Sequence, residues 1–135
     1  MKLLEKNREG TIMVLDNFWK TIQSLTDPIY VCDANGFISR YNRAAAELWG
    51  REPETGKELY CGSARILGKN GEEMRPEKYP IVQTLQYKVP VNNAEVVMLR
   101  KDGSTRRILQ FTTPIYDVWG QLAGAVNRMV DITNN

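Results

Sequence analysis

The sequence predicts an α+β domain organised around one antiparallel sheet, and three observations carry that expectation. Residues 95–131 alternate apolar and polar side chains in three runs separated by tight-turn chemistry. A shorter strand pair brackets Ala34-Asn35-Gly36. Helical patterns at residues 11–25, 43–49 and 80–88 lie before and between these runs instead of following each strand, as a parallel sheet would require.

The C-terminal runs are the most informative. Strands at residues 95–100 and 104–113 are joined through Lys101-Asp102-Gly103, and Asp-Gly between alternating apolar runs is a hairpin signal because glycine accepts the positive φ of a tight turn. Asp117-Val118-Trp119-Gly120 returns the chain into a third strand over residues 121–131, which completes a meander. Sorting by alternation puts Val97, Leu99, Leu109, Phe111, Val126 and Val130 on one face. The other face receives Val96, Met98, Ile108, Gln110, Thr112, Ala125, Asn127 and Met129. Neither face is made for water, so each needs a cover.

The rest of the chain supplies the covers. Residues 1–10 read as a flexible lead. Ile12, Leu15, Trp19 and Ile22 then fall at spacings of three and four, one apolar stripe on a helix of about four turns, suited to roofing a sheet face or to pairing with a second copy of itself. Asp27-Pro28 breaks that helix. Strands follow at residues 29–33 and 37–41, and Asn42 is a natural N-cap for a helix over 43–49 that Gly50 ends. Residues 51–78 are the least regular, with Arg65-Ile66-Leu67 ahead of Gly68-Lys69-Asn70-Gly71 forming a small flap or hairpin. Pro80 suits the first turn of a helix reaching about Lys88, with Ile81, Val82 and Leu85 inward, and Pro90 delivers the chain to the meander. That makes five strands in one domain.

Composition narrows the function classes. With 25% charged and 42% hydrophobic residues and a net charge of +2, the chain offers nothing for nucleic acid or an anionic membrane. No apolar run approaches the ~20 residues a bilayer crossing requires, and Lys2-Leu3-Leu4 meets Glu5 and Lys6 at once, so a cytoplasmic protein is expected. Two cysteines, Cys32 and Cys61, fall short of a zinc site, and histidine is wholly absent. That removes the commonest general base and haem or metal ligand. With no nucleophile elbow, phosphate-binding loop or dinucleotide fingerprint either, an enzyme is not expected.

Four stretches in order, Asp33-Ala34-Asn35-Gly36-Phe37-Ile38, Tyr41-Asn42-Arg43-Ala44-Ala45, Arg100-Lys101-Asp102-Gly103-Ser104 and Asp131-Ile132-Thr133, give the chain its resemblance to a PAS domain. The resemblance covers residues 11–133, leaving Asn134-Asn135 as the start of an output linker. It implies a five-stranded sheet of spatial order 2-1-5-4-3 with short helices over one face enclosing a small cavity. It also implies a sensory module of a bacterial signalling protein that passes a signal through Asp131 and Thr133 to an effector such as a histidine kinase or cyclase. Gln110, Asn127, Met129, Met98 and Ile108 would line the cavity, and Ile12, Leu15, Trp19 and Ile22 would form a lid or a homodimer seam. The alternative within the same resemblance is a ligand-free dimerisation and interaction module.

No ligand is fixed by it. Tyr60-Cys61-Gly62-Ser63 departs from the Asn-Cys-Arg-Phe-Leu-Gln helix of the flavin photoreceptor subgroup, and the lack of histidine departs from histidine-ligated haem sensors. The residues themselves leave alternatives open. Buried amides at Gln110 and Asn127 need partners, which a ligand, each other, the backbone or water can supply. Cys61 is either a redox or chromophore-anchoring thiol, which needs a nearby cation or helix N-terminus, or simply structural. Cys32 reads as a small buried apolar residue, and Trp19, Trp49 and Trp119 as packing or turn-flank residues. Asp131 and Thr133 are suited to capping backbone groups where the last strand ends.

Overall fold

The computed structural model describes residues 26–134. Strands β1 (Ile29–Asp33) and β2 (Ile38–Tyr41) are followed by helix α1 (Arg43–Trp49), β3 (Arg65–Leu67), a 3₁₀ turn (Pro76–Lys78), helix α2 (Pro80–Tyr87), β4 (Val91–Leu99), β5 (Thr105–Tyr116) and β6 (Leu122–Asp131). All strands join one antiparallel sheet in the order β2-β1-β6-β5-β4-β3. The expected 2-1-5-4-3 order is present within it. Among the described residues the count of five is corrected to six, because Arg65, Ile66 and Leu67 pair with Leu99, Met98 and Val97 and extend the sheet beyond β4.

Two boundaries also move. The first meander strand begins at Val91, with its register interrupted between Val91 and Ala94 and Asn93 at φ 58. The second runs on through Pro114, which lies opposite Ala125, to Tyr116. Both edge strands make further pairings, although β3 pairs only residues 97–99 of β4. Ile38 of β2 donates to the Glu58 carbonyl at 2.8 Å and accepts from Gly56 N at 2.7 Å, while Leu67 of β3 bridges to Glu73.

The two faces divide as their side chains predict. Val96, Met98, Ile108, Gln110, Thr112, Ala125, Asn127 and Met129 are all buried, and the helices lie over them. The opposite face, with Val97, Leu99, Leu109, Phe111, Val126 and Val130, is half-buried among the described residues, and the Arg128 guanidinium sits 4.3 Å from the Phe111 ring centroid. The segment expected to roof that face, including Ile12, Leu15, Trp19 and Ile22, lies outside the described residues.

One buried side chain ties helix to sheet. Asn42 Oδ1 caps α1 by accepting from Ala45 N at 2.9 Å and also accepts from Ile29 N at 3.0 Å, while Nδ2 donates to the Asp27 carbonyl at 2.8 Å. Asn42→Ala therefore removes a cap and strands a buried amide, each worth about 1 kcal/mol or more, and is expected to cost about 2–3 kcal/mol in urea unfolding. A loss under 1 kcal/mol would show that water replaces these bonds.

Candidate functional site

Alternation along β1, β5 and β6 brings polar side chains together on the face that is otherwise the core. Asn127 stands opposite Tyr30 on one side and Thr112 on the other, and Gln110 stands opposite Met129. Asn127 Nδ2 donates to Gln110 Oε1 at 3.2 Å and to Tyr30 Oη at 3.1 Å. Burial pushes the Tyr30 hydroxyl well above its ordinary value, so it stays protonated. A second polar pair anchors α2: Thr84 Oγ1 lies 2.6 Å from Thr112 Oγ1, which donates to the Pro80 carbonyl at 3.3 Å.

Two atoms of the amide cluster remain unspent. Gln110 Nε2 and Asn127 Oδ1 are buried without a partner, and Trp49 Nε1 behaves likewise. The five residues expected to line a cavity, Gln110, Asn127, Met129, Met98 and Ile108, share this face and are 0–1% exposed. Trp49, Ile66 and Ile81 close over the same core. Trp49 meets Tyr30 edge-on at 5.1 Å and Tyr41 at 5.8 Å.

Residues 52–64 cross this core as a strap without regular secondary structure apart from short turns. Arg51 holds it, pairing in bidentate fashion with Glu58 at 2.8 and 2.9 Å and donating to the Gly62 carbonyl at 2.9 Å. The pair holds the Glu58 carboxyl below its ordinary range. Gly62 lies flat on the indole of Trp49; a Cβ there would come within 2.4 Å of Cε3. Cys61 N donates back to the Leu59 carbonyl at 2.7 Å around Tyr60 at φ 65, the geometry of the strained γ-turn.

Cys61 sits at the floor of a cleft of about 270 Å³ with Leu59, Tyr60, Ile66, Pro76 and Tyr79 among its walls. Its thiol lies 3.1 Å from Ser63 Oγ. Burial raises the thiol above its ordinary value despite the hydroxyl beside it, so Cys61 lacks the lowered pKa a reactive cysteine needs. The Trp49 N–H lies towards this sulfur and favours its charged form, yet closes no hydrogen bond of good geometry. Cys32 is wholly buried and burial raises its thiol further. A larger cleft of about 550 Å³ runs along α1 between Tyr41, Glu47 and Arg51. Neither cleft is lined by Gln110 or Asn127.

At the far end of β6, Asp131 Oδ1 accepts from the amide and hydroxyl of Thr133, and Thr133 Oγ1 accepts from Arg107 N at 3.0 Å. Asp131 also faces Arg106 at 3.6 Å. The tripeptide is thus bracketed onto the start of β5. Sequence reasoning missed Tyr30, Thr84 and the Arg51–Glu58 pair. Tyr30 was within reach, since alternation in β1 places it beside Cys32 on the inner face, whereas the strap's contacts depend on a loop path that no periodicity encodes. Among the described residues no group of three or more Cys, Asp or Glu side chains is placed to hold a metal, and no helix is long and apolar enough to cross a membrane.

Among the described residues, one antiparallel sheet with short helices over one face and a core that carries polar groups defines a class of small α+β modules. The sequence profile of the PAS fold matches residues 22–135, and the chain belongs to that family. Among solved structures, a PAS domain from Colwellia psychrerythraea is similar at 26% identity and a TM-score of 0.62, the match covering 90% of this chain and 99% of that one. The PAS domain of the fruit-fly ELK potassium channel reaches a TM-score of 0.70 at 17% identity, covering 89% and 98% of the two chains. The PAS domain of Bordetella pertussis BvgS gives 0.58 at 21% identity, covering 90% and 87%. No curated protein matches the chain. PAS domains are signalling modules of sensing and interaction, typically sensory and not catalytic, and they commonly dimerise and couple to effectors.

Proposed function

We propose that this PAS domain is the sensory unit of a bacterial cytoplasmic signalling protein, and that it holds a small polar or amphipathic molecule between sheet and helices. Gln110 and Asn127 would bond it, with Met98, Ile108 and Met129 packing around it. The observation that carries this reading is the unspent pair Gln110 Nε2 and Asn127 Oδ1, one donor and one acceptor, fixed side by side by the bond between the two amides. Turning both amides over leaves the same balance. Each unpartnered group costs about 1–3 kcal/mol, which an occupant engaging both would recover. Asn127 and Asp131 share strand β6, so a shift of that strand reaches the Asp131–Thr133 bracket, from which an effector such as a histidine kinase or cyclase would take the signal. The apolar stripe of Ile12, Leu15, Trp19 and Ile22 would serve as a lid or as the seam of a homodimer.

Native mass spectrometry of freshly purified protein tests the reading, because it reports a bound molecule and the subunit count together. A compound found there, supplied at 100 times its Kd, is expected to stabilise the wild type by about 2.7 kcal/mol and to lose most of that in Asn127→Ala. An undiminished shift in the variant would remove Asn127 from the site. The second reading, a ligand-free dimerisation and interaction module, is favoured by one observation of its own. Met98, Met129, Trp49, Ile66 and Ile81 already fill the space above the sheet. A dimer with no adduct and no thermal-shift hit would select it.

A further inference from the structure

Any molecule that reaches Gln110 and Asn127 must pass a barrier, since both are fully buried. Resting on the sensing reading above, we propose that the strap of residues 52–64 is the gate to this core and that the Arg51–Glu58 pair is its latch. Three observations distinguish this segment from the other covers of the sheet. It lies where the 270 Å³ cleft meets the core, for Cys61 lines the cleft and packs against the cluster containing Tyr30, whose hydroxyl bonds Asn127. Its centre is the Tyr60 γ-turn, a conformation costly for a residue with a side chain, so lifting the segment relieves strain. Backbone bonds hold it to the sheet, Ile38 N to the Glu58 carbonyl, Gly56 N to the Ile38 carbonyl, Tyr60 N to the Gly36 carbonyl and Ala64 N to the Leu99 carbonyl. Its strongest side-chain tie is Arg51, which follows α1 and reaches Glu58 and the Gly62 carbonyl. That tie is part-exposed, whereas the side-chain pair that holds α2 to the sheet, Thr84–Thr112, is buried.

The protein carries its own reporter of this opening. Cys32 is 0% exposed, and its thiol points at the Tyr60 carbonyl of the strap at 3.9 Å. A thiol reagent therefore reaches Cys32 when the strap lifts or the whole domain unfolds. The experiment exposes the full chain to methyl methanethiosulfonate, locates the label by peptide mass spectrometry, and repeats the measurement over a range of low urea concentrations. Cys61 labels first, through the cleft. Cys32 labelling is expected to be independent of urea well below the unfolding midpoint, which marks a local opening, and to rise about tenfold in Arg51→Gln, the loss of one charge-assisted bidentate contact that is partly screened by solvent. Glu58→Gln should move it in the same direction, and Arg75→Gln, on an exposed side chain whose ion pair is with Glu77, should leave it unchanged. The wild-type urea dependence keeps the test decisive even for a variant that folds poorly.

Cys32 labelling that tracks global unfolding, or that ignores both latch substitutions, overturns the gate. These outcomes are independent of whether a ligand exists. A latch-dependent opening with no bound molecule would leave the gate standing and remove the sensing reading. A ligand whose association rate is the same in Arg51→Gln and wild type would remove the gate and keep the sensing reading.

Discussion

Trp49→Ala is expected to lower the unfolding free energy by about 3–5 kcal/mol, the range for removing a large aromatic from a packed core. The residue is 1% exposed, meets Tyr30 and Tyr41 edge-on and supports Gly62 of the strap. For a small domain whose whole stability is about 5–15 kcal/mol, the substitution approaches loss of the native state at 25 °C. Urea unfolding followed by far-UV circular dichroism measures it. Trp49→Phe supplies the contrast. It keeps a ring between Tyr30 and the strap and discards an N–H that has no partner, so its cost should stay below about 1.5 kcal/mol. If the two variants lose equal stability, the indole's size and not its position in the aromatic stack is what matters, and the account of the strap's seat fails.

Gly124→Ala is the second large effect expected, at about 3 kcal/mol. Gly124 lies in β6 opposite Asp33, and a Cβ added there would stand 2.1 Å from the Cys32 carbonyl oxygen. A flexible side chain could turn away, but a backbone oxygen within a paired strand cannot, so either β1 shifts or the β1–β6 register is lost. The shift would reach Tyr30 and through it Asn127. Chemical-shift changes in ¹H–¹⁵N spectra confined to residues near 124, together with stability within 1 kcal/mol of wild type, would count against this tight contact.

Where chain periodicity sets structure, the sequence was readable. The Asp102-Gly103 and Asn35-Gly36 turns, the Asn42 cap and the inner-face set from Val96 to Met129 follow from local chemistry and a period of two, and alternation placed Gln110 and Asn127 side by side. Elsewhere local rules competed with tertiary pairing. Asn92 and Asn93 disfavour strand, so the start of β4 at Val91 is hidden; a bulge absorbs the positive φ of Asn93 and the pairing resumes. Pro114 reads as a stop, yet β5 continues because β6 supports it from Ala125. Arg65–Leu67 is too short to announce itself as a strand, and β4 recruits it. The strap is the extreme case, since a salt bridge, backbone bonds to the β2 edge and the seat of Gly62 on Trp49 define its path and leave no repeat in the sequence.

The Pro28 carbonyl accepts from Met129 N at 2.9 Å, so the chain comes into the sheet and leaves it one rung apart. Between residues 28 and 129 the chain thus returns to its starting point, the geometry that loop insertion and circular permutation exploit. The Trp119 turn, at the opposite end of β6 and with Trp119 64% exposed, is the natural place for new termini.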